Sequence, residues 1–136
     1  MEMIYTLDQL EGVAATLIKQ YAHQPVWAFF APMGAGKTTL IGQICKQMGV
    51  KDAVASPTFA IMNEYEANGQ LIYHMDWYRL EDEAEARRTG VEAAMEEADL
   101  SFIEWPEKAP ALLPDHVVKI EIEILDPERR RIFIPS

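Results

Sequence analysis

The chain has 136 residues, 49% hydrophobic and 25% charged, with 22 acidic residues against 12 basic ones and a net charge of −10. These values are those of a soluble globular protein, and the length predicts one domain, residues 1–136, large enough to bury a real core. The acidic balance excludes direct capture of a nucleic-acid backbone across a basic face and points to a small-molecule ligand and protein partners. No apolar run is long enough to span a bilayer. The first residues, Met1 to Thr6, lack the basic-then-apolar layout of a secretion signal. Cys45 is the only cysteine, which rules out an intramolecular disulfide and fits a reducing, cytoplasmic compartment.

In chain order, Thr6 with Gln9 has the spacing of a capping box. Leu7, Leu10, Val13, Ala14, Leu17, Ile18 and Tyr21 follow at helical spacing, and His23-Gln24-Pro25 ends that amphipathic helix. Val26 to Phe30 reads as a buried strand, and Thr39 to Met48 as a helix stopped by Gly49. Cys45 falls on that helix's apolar face, as a small core residue. Residues 58–66 and 71–76 read as two strands joined through Asn68-Gly69. Acidic helices are expected at 81–88 and about 91–98, separated by Gly90, their charges forming a solvated face. Leu100 to Ile103 reads as a buried strand ending at Glu104, and Pro106 starts a short helix that stops near Pro114. Val117–Leu125 and Arg131–Ile134 close the chain as a strand pair, with Arg129-Arg130-Arg131 read as a solvated turn between them. The alternation of strands and helices, with hairpins, predicts an α/β fold: a P-loop domain with a mixed parallel and antiparallel sheet flanked by helices.

Between the strand at 26–30 and the helix that follows lies Ala31-Pro32-Met33-Gly34-Ala35-Gly36-Lys37-Thr38-Thr39, an A/G-x-x-x-x-G-K-S/T phosphate-binding loop. Gly34 and Gly36 let the backbone bend so that successive N–H groups, those of Met33 and Ala35 included, turn toward phosphate oxygens. The helix adds its positive N-terminal end. Lys37 is placed to reach the β- and γ-phosphates, and the Thr38 hydroxyl to bind Mg²⁺. Ala31 stands where a glycine usually opens the loop; an unusual backbone angle there would cost about 1 kcal/mol.

Holding phosphate is not hydrolysis, which also needs a metal and an oriented water. Two carboxylates end apolar strands: Asp76 after Leu71-Ile72-Tyr73-His74-Met75, and Glu104 after Leu100-Ser101-Phe102-Ile103. The carboxyl ends of parallel strands face the ligand crevice in such sheets, so either acid is a candidate for Mg²⁺ or for the attacking water. Mg²⁺ takes only one or two protein carboxylates and keeps several waters.

Three further strings sharpen the reading: Ser56-Pro57-Thr58-Phe59, His74-Met75-Asp76-Trp77-Tyr78-Arg79-Leu80 and Ile103-Glu104-Trp105-Pro106-Glu107-Lys108. In this order, with the P-loop, the chain from Val26 to Leu113 resembles the TsaE (YjeE) family, the ATPases of bacterial tRNA threonylcarbamoyladenosine synthesis. The resemblance implies ATP and Mg²⁺ as ligands and a slow ATPase that serves the TsaB–TsaD heterodimer. In that pair TsaD transfers the threonylcarbamoyl group to the adenosine beside the anticodon. The family member docks near the TsaD active site, its ATP cycle resets the complex, and it meets tRNA only through that complex. Carried over residue by residue, Met33, Gly34, Ala35, Gly36, Lys37, Thr38 and Thr39 match the nucleotide loop. Thr58 matches a switch-like threonine near the γ-phosphate. Thr38, Asp76 and Glu104 match positions around the metal and the water. Trp105 matches an aromatic position beside the nucleotide. Lys37, Thr58, Asp76 and Glu104 are thereby the implied catalytic set. His74 is read first as a structural hydrogen-bonding residue; Tyr78 and Arg79 match the family string without an assigned role.

Rival readings make distinct demands. A small-molecule kinase needs a lid and a substrate insertion, for which the hairpins and short helices after the P-loop leave little room. A GTP switch needs an Asn/Thr-Lys-x-Asp string, which is absent. A pure interaction module would hold its nucleotide without turning it over and dock through the acidic helices.

Overall fold

The computed structural model describes residues 1–57 and 61–135. The expected strand over 58–66 therefore falls partly outside the described residues, and Thr58 and Phe59 lie outside them altogether.

The described strands are β1 (Glu2–Thr6), β2 (Val26–Phe30), β3 (Met62–Ala67), β4 (Gln70–Asp76), β5 (Leu100–Glu104), β6 (Val118–Ile124) and β7 (Arg129–Phe133). They form a seven-stranded sheet in the order β1-β7-β6-β2-β5-β4-β3. The middle is parallel, with β2 between β6 and β5 and with β4 beside β5. Antiparallel pairs flank it: β3 with β4 on one side, β6 with β7 and β7 with β1 on the other. This is the expected mixed sheet.

The helices α1 (Leu10–Tyr21), α2 (Lys37–Met48), α3 (Glu83–Arg88) and α4 (Val91–Glu97) cover both faces. Their apolar stripes and the strands' alternation produce two core layers. Leu10, Leu17, Leu40, Ile41 and Ile44 from α1 and α2 pack with Trp27, Phe29, Ile72, Phe102 and Ile120 of the sheet. Ala86, Val91 and Met95 from α3 and α4 pack on the other face with Val26, Tyr73, Met75 and Ile103. Strand β5 shows the division residue by residue: Leu100 and Phe102 belong to one layer and Ile103 to the other. Strands buried on both faces must be apolar throughout, which is why Val-Trp-Ala-Phe-Phe reads without alternation.

Several boundaries differ from the sequence reading. The capping-box residue Gln9 does accept the Thr6 N–H, at 2.9 Å, but the first turn, Leu7–Gln9, is a 3₁₀ turn. Leu7 consequently leaves the apolar stripe and is 76% exposed. The short helix expected after Pro106 is instead two 3₁₀ turns, Pro106–Lys108 and Pro110–Leu112. Strand β1 has no counterpart in the sequence reading. The Asn68-Gly69 turn is confirmed: both residues have positive φ, 52° and 84°, as the favoured two-residue hairpin requires.

Candidate nucleotide site

Strands β2, β4 and β5 run parallel, and their carboxyl ends come level, with Asp76 opposite Glu104 and Glu104 opposite Phe29 in the register. The P-loop leaves β2 at this edge. Gly34 and Gly36 have φ of 80° and 92°, conformations that cost an L side chain strain. Ala31 is not among the positive-φ residues, so the alanine at the loop's first position carries no penalty of that kind. Gly36 caps α2 with no side-chain acceptor. The first N–H groups of this 12-residue helix thus lack an intrahelical or capping partner, the arrangement that attracts an anion.

Lys37 arches back over the loop and donates from Nζ to the Ala31 carbonyl at 2.9 Å. Its Nζ also lies 3.5 Å from the centroid of the Trp105 ring. Burial lowers the Lys37 pKa, while the charges of Glu104, Glu107 and Asp76 oppose that shift. Trp105 holds φ 58° and ψ 47°, a left-handed conformation that is uncommon for a bulky residue and costs on the order of 1–3 kcal/mol. The Tyr78 ring lies 5.0 Å from it, and Lys108 lies over Tyr78 at 5.5 Å.

Next to Lys37, the Thr38 hydroxyl is 3.1 and 3.0 Å from the two Glu104 carboxylate oxygens and 2.7 Å from the Ser56 hydroxyl. Ser56 Oγ is 3.4 Å from Glu104 Oε2. The segment carrying Ser56 is tied to the sheet, because Asn63 donates to the Ala55 carbonyl at 3.0 Å. Glu104 is buried, as is His74, whose Nε2 lies 2.6 Å from Glu104 Oε2. Two hydroxyls and a carboxylate form an all-oxygen donor set, the kind a hard divalent cation takes. Among the described residues there is no group of three or more His, Cys, Asp or Glu that could hold a metal. A cation here would therefore draw its remaining ligands from water and phosphate, as Mg²⁺ usually does.

The remaining candidates separate. Asp76 is not part of the hydroxyl–carboxylate cluster; its Oδ1 accepts the Tyr78 N–H at 2.9 Å on the neighbouring strand end. Thr39 lines a cavity of about 650 Å³ beside the loop, together with Gly36, Tyr5, Leu10, Pro127 and Arg130. A cavity of that size holds a small organic ligand. Met33 is 64% exposed.

Three residues of the site were not singled out by sequence reasoning. Ser56 opens the Ser-Pro-Thr-Phe string, and nothing in its local sequence assigns it a role. Tyr5 comes from the strand that the pattern did not reveal. Arg130 came from the cluster read as a solvated turn, and the structure corrects that reading. The cluster opens β7, where Arg131 pairs with Glu2 and Glu123 and Arg129 with Asp126. Arg130 reaches back to the P-loop, donating from Nε to the Ala35 carbonyl at 3.2 Å.

A glycine loop between a parallel strand and a helix N-terminus, with a lysine and a threonine–carboxylate pair at its mouth, defines the chain as an α/β protein of the P-loop class. Comparison with known proteins narrows the class. The sequence profile "Threonylcarbamoyl adenosine biosynthesis protein TsaE" matches residues 4–132. The chain belongs to the TsaE family. It is 32% identical over 117 residues to the tRNA threonylcarbamoyladenosine biosynthesis protein TsaE of Haemophilus influenzae, covering 85% of this chain and 74% of that one. It is 38% identical over 104 residues to the protein of the same name from Aquifex aeolicus, covering 75% and 70%. The fold matches the crystal structure of Bacillus subtilis YdiB with a TM-score of 0.76, at 22% identity, over 98% of this chain and 84% of that one.

Proposed function

We propose that the chain is a Mg²⁺-dependent ATPase of tRNA threonylcarbamoyladenosine synthesis, acting on the TsaB–TsaD pair to permit its turnover. The observation that carries the catalytic half of this reading is the buried Glu104 carboxylate held against the Thr38 hydroxyl, directly beside the P-loop lysine. A loop that bound phosphate only as a structural anchor would not need a desolvated carboxylate at its mouth, because burying one is costly unless it is well paired. The name shared by the Haemophilus and Aquifex relatives supports the pathway half.

In this reading the loop amides and Lys37 hold the β- and γ-phosphates. Thr38 and Glu104 hold the cation, with Ser56 beside them. When bound, Mg²⁺ supplies neutralising charge to the triphosphate. Asp76, one strand over and outside the hydroxyl cluster, is left to orient the water, with Glu104 as the other candidate. For Thr58, which lies outside the described residues, the family resemblance implies a switch-like role near the γ-phosphate. The cavity walled by Tyr5, Leu10 and Arg130 receives the nucleoside, and the missing guanine-reading string favours adenine. The protein works beside tRNA in the cytoplasm, touching it only through its partners; no helix among the described residues is long and apolar enough to cross a membrane.

Calorimetric titration with ATP and ADP, with and without Mg²⁺, tests the site. Lys37→Ala should weaken ATP binding by about 100-fold, the scale of removing a desolvated charge from its partner. Unchanged ATP affinity in that variant would sink the site assignment. Phosphorylation of an added nucleoside or sugar would instead favour a small-molecule kinase.

A further inference from the structure

Strand β4 runs Gln70-Leu71-Ile72-Tyr73-His74-Met75-Asp76 between β3 and β5. Its period-two alternation puts Ile72 and His74 on the face that carries α2. In the register, Phe102 of β5 lies beside His74. An apolar residue would suit this position, yet an imidazole with 0% exposure occupies it. Its Nε2 meets Glu104 Oε2 at 2.6 Å, and its Nδ1 has no hydrogen-bond partner among the described residues.

The chemistry of this pair restricts its arrangement. An ionised carboxylate only accepts hydrogen bonds, so the proton of the short contact sits on Nε2 of the imidazole. Among the described residues that N–H has no second acceptor. The other donors to Glu104 are different in kind: the Thr38 and Ser56 hydroxyls rotate freely and are within 2.7 Å of each other, so each has an alternative partner. Oε2 receives His74, Ser56 and Thr38, whereas Oε1 meets only Thr38 among the described residues. The two oxygens are therefore unequal, and of the two groups that meet Oε2 alone the imidazole is much the nearer, at 2.6 Å against 3.4 Å for Ser56.

We infer that His74 is a positioning residue: its Nε2–H pins Oε2 of Glu104 and thereby leaves Oε1, beside Thr38, as the oxygen available to a cation. This rests on the nucleotide reading above and assigns a residue that supports its metal-binding step. Without the imidazole the carboxylate plane is free to turn, and its oxygens are shared between two hydroxyls that also satisfy each other. Partners that orient a metal-binding carboxylate in this way are worth on the order of 10–100-fold in metal affinity or activity.

The test uses the full chain with His74→Leu, His74→Gln and His74→Asn, each checked by circular dichroism and thermal melting. Glutamine keeps an N–H donor within reach of Oε2; asparagine keeps the polarity but is too short; leucine fills the space without a donor. For each, ADP affinity is measured by calorimetry with and without Mg²⁺, and ATP turnover is followed as Mg²⁺ is titrated. The expected result is metal-free ADP affinity within about threefold of the unsubstituted chain for all three, with the Mg²⁺ requirement raised by roughly 10–100-fold in the leucine and asparagine variants and largely restored by glutamine. The loss should fall on kcat, with KM for ATP nearly unchanged. If leucine prevents folding, the glutamine–asparagine contrast decides the question. Equal Mg²⁺ requirements across the folded variants would overturn the inference while leaving the nucleotide reading intact. Failure of the unsubstituted chain to bind nucleotide would overturn both.

Discussion

At Lys37 the ammonium is buried against the P-loop, and its pKa lies below the ordinary lysine value of 10.5 because burial outweighs the carboxylates around it. A neutral amine loses its attraction for phosphate. Nucleotide affinity should therefore fall as pH rises through that lowered value, before the range where an exposed lysine would titrate; ADP titrations between pH 8 and 10.5 check the direction. Cys45, on the same helix but facing the core, works in the opposite sense. Burial pushes its thiol from 9.0 up to about 12. Between those values the unfolded chain has lost the proton that the folded chain keeps, so the folded state binds more protons and stability falls as pH rises above 9.0. The slope is at most about 1.4 kcal/mol per pH unit. Cys45→Ala should remove it: urea unfolding at pH 8 and 10.5 should show a pH-dependent loss smaller by about 2 kcal/mol in the variant. The raised pKa also keeps the thiol protonated and unreactive at neutral pH, in line with its reading as a core residue.

Among the elements, α2 depends on its exit as much as on its loop. Gly49 ends the helix at φ 107°, and a Cβ there would stand 2.7 Å from the Asn68 amide nitrogen, which itself donates to the Met48 carbonyl at 3.1 Å. Gly49→Ala should cost about 2 kcal/mol, from left-handed strain and the lost bond together, and lower the melting temperature by roughly 6–10 °C. The same glycine was legible in the sequence as a helix stop, and β2, the P-loop, α2 and the β3–β4 turn were legible because strong local signals fix them. Elements whose signal is tertiary were not. Strand β1 is a five-residue run in which only Tyr5 is buried, and it forms by pairing with β7 from the far end of the chain. Leu7 has the spacing of a core residue, yet the 3₁₀ entry to α1 turns it outward. The same limit explains the site. Asp76 and Glu104 could be found from the strands they end, but nothing local says that Thr38 meets Glu104 and not Asp76. Arg130 has the local signature of any surface arginine, and only the closing hairpin's position beside the P-loop sets it apart.

At the scale of the molecule, the parallel block of the sheet delivers the P-loop, Asp76 and Glu104 to one edge, while helices close both faces into two apolar layers. Arg130, at the loop, is already engaged with the Ala35 and Asp126 carbonyls. Hydrolysis by the isolated chain should accordingly be slow, with transition-state charge stabilisation improved when a partner orders the site; an added arginine alone is worth 10³–10⁵-fold in other P-loop enzymes. The acidic surface, net −10, favours partners with basic faces over direct contact with tRNA. The most direct measurement is Mg²⁺-dependent ATP hydrolysis by the chain alone and then with the proposed partners, a TsaB–TsaD pair. Slow turnover that rises on adding the pair is the expected result. ATP binding with a rate that ignores the pair would contradict the proposed role.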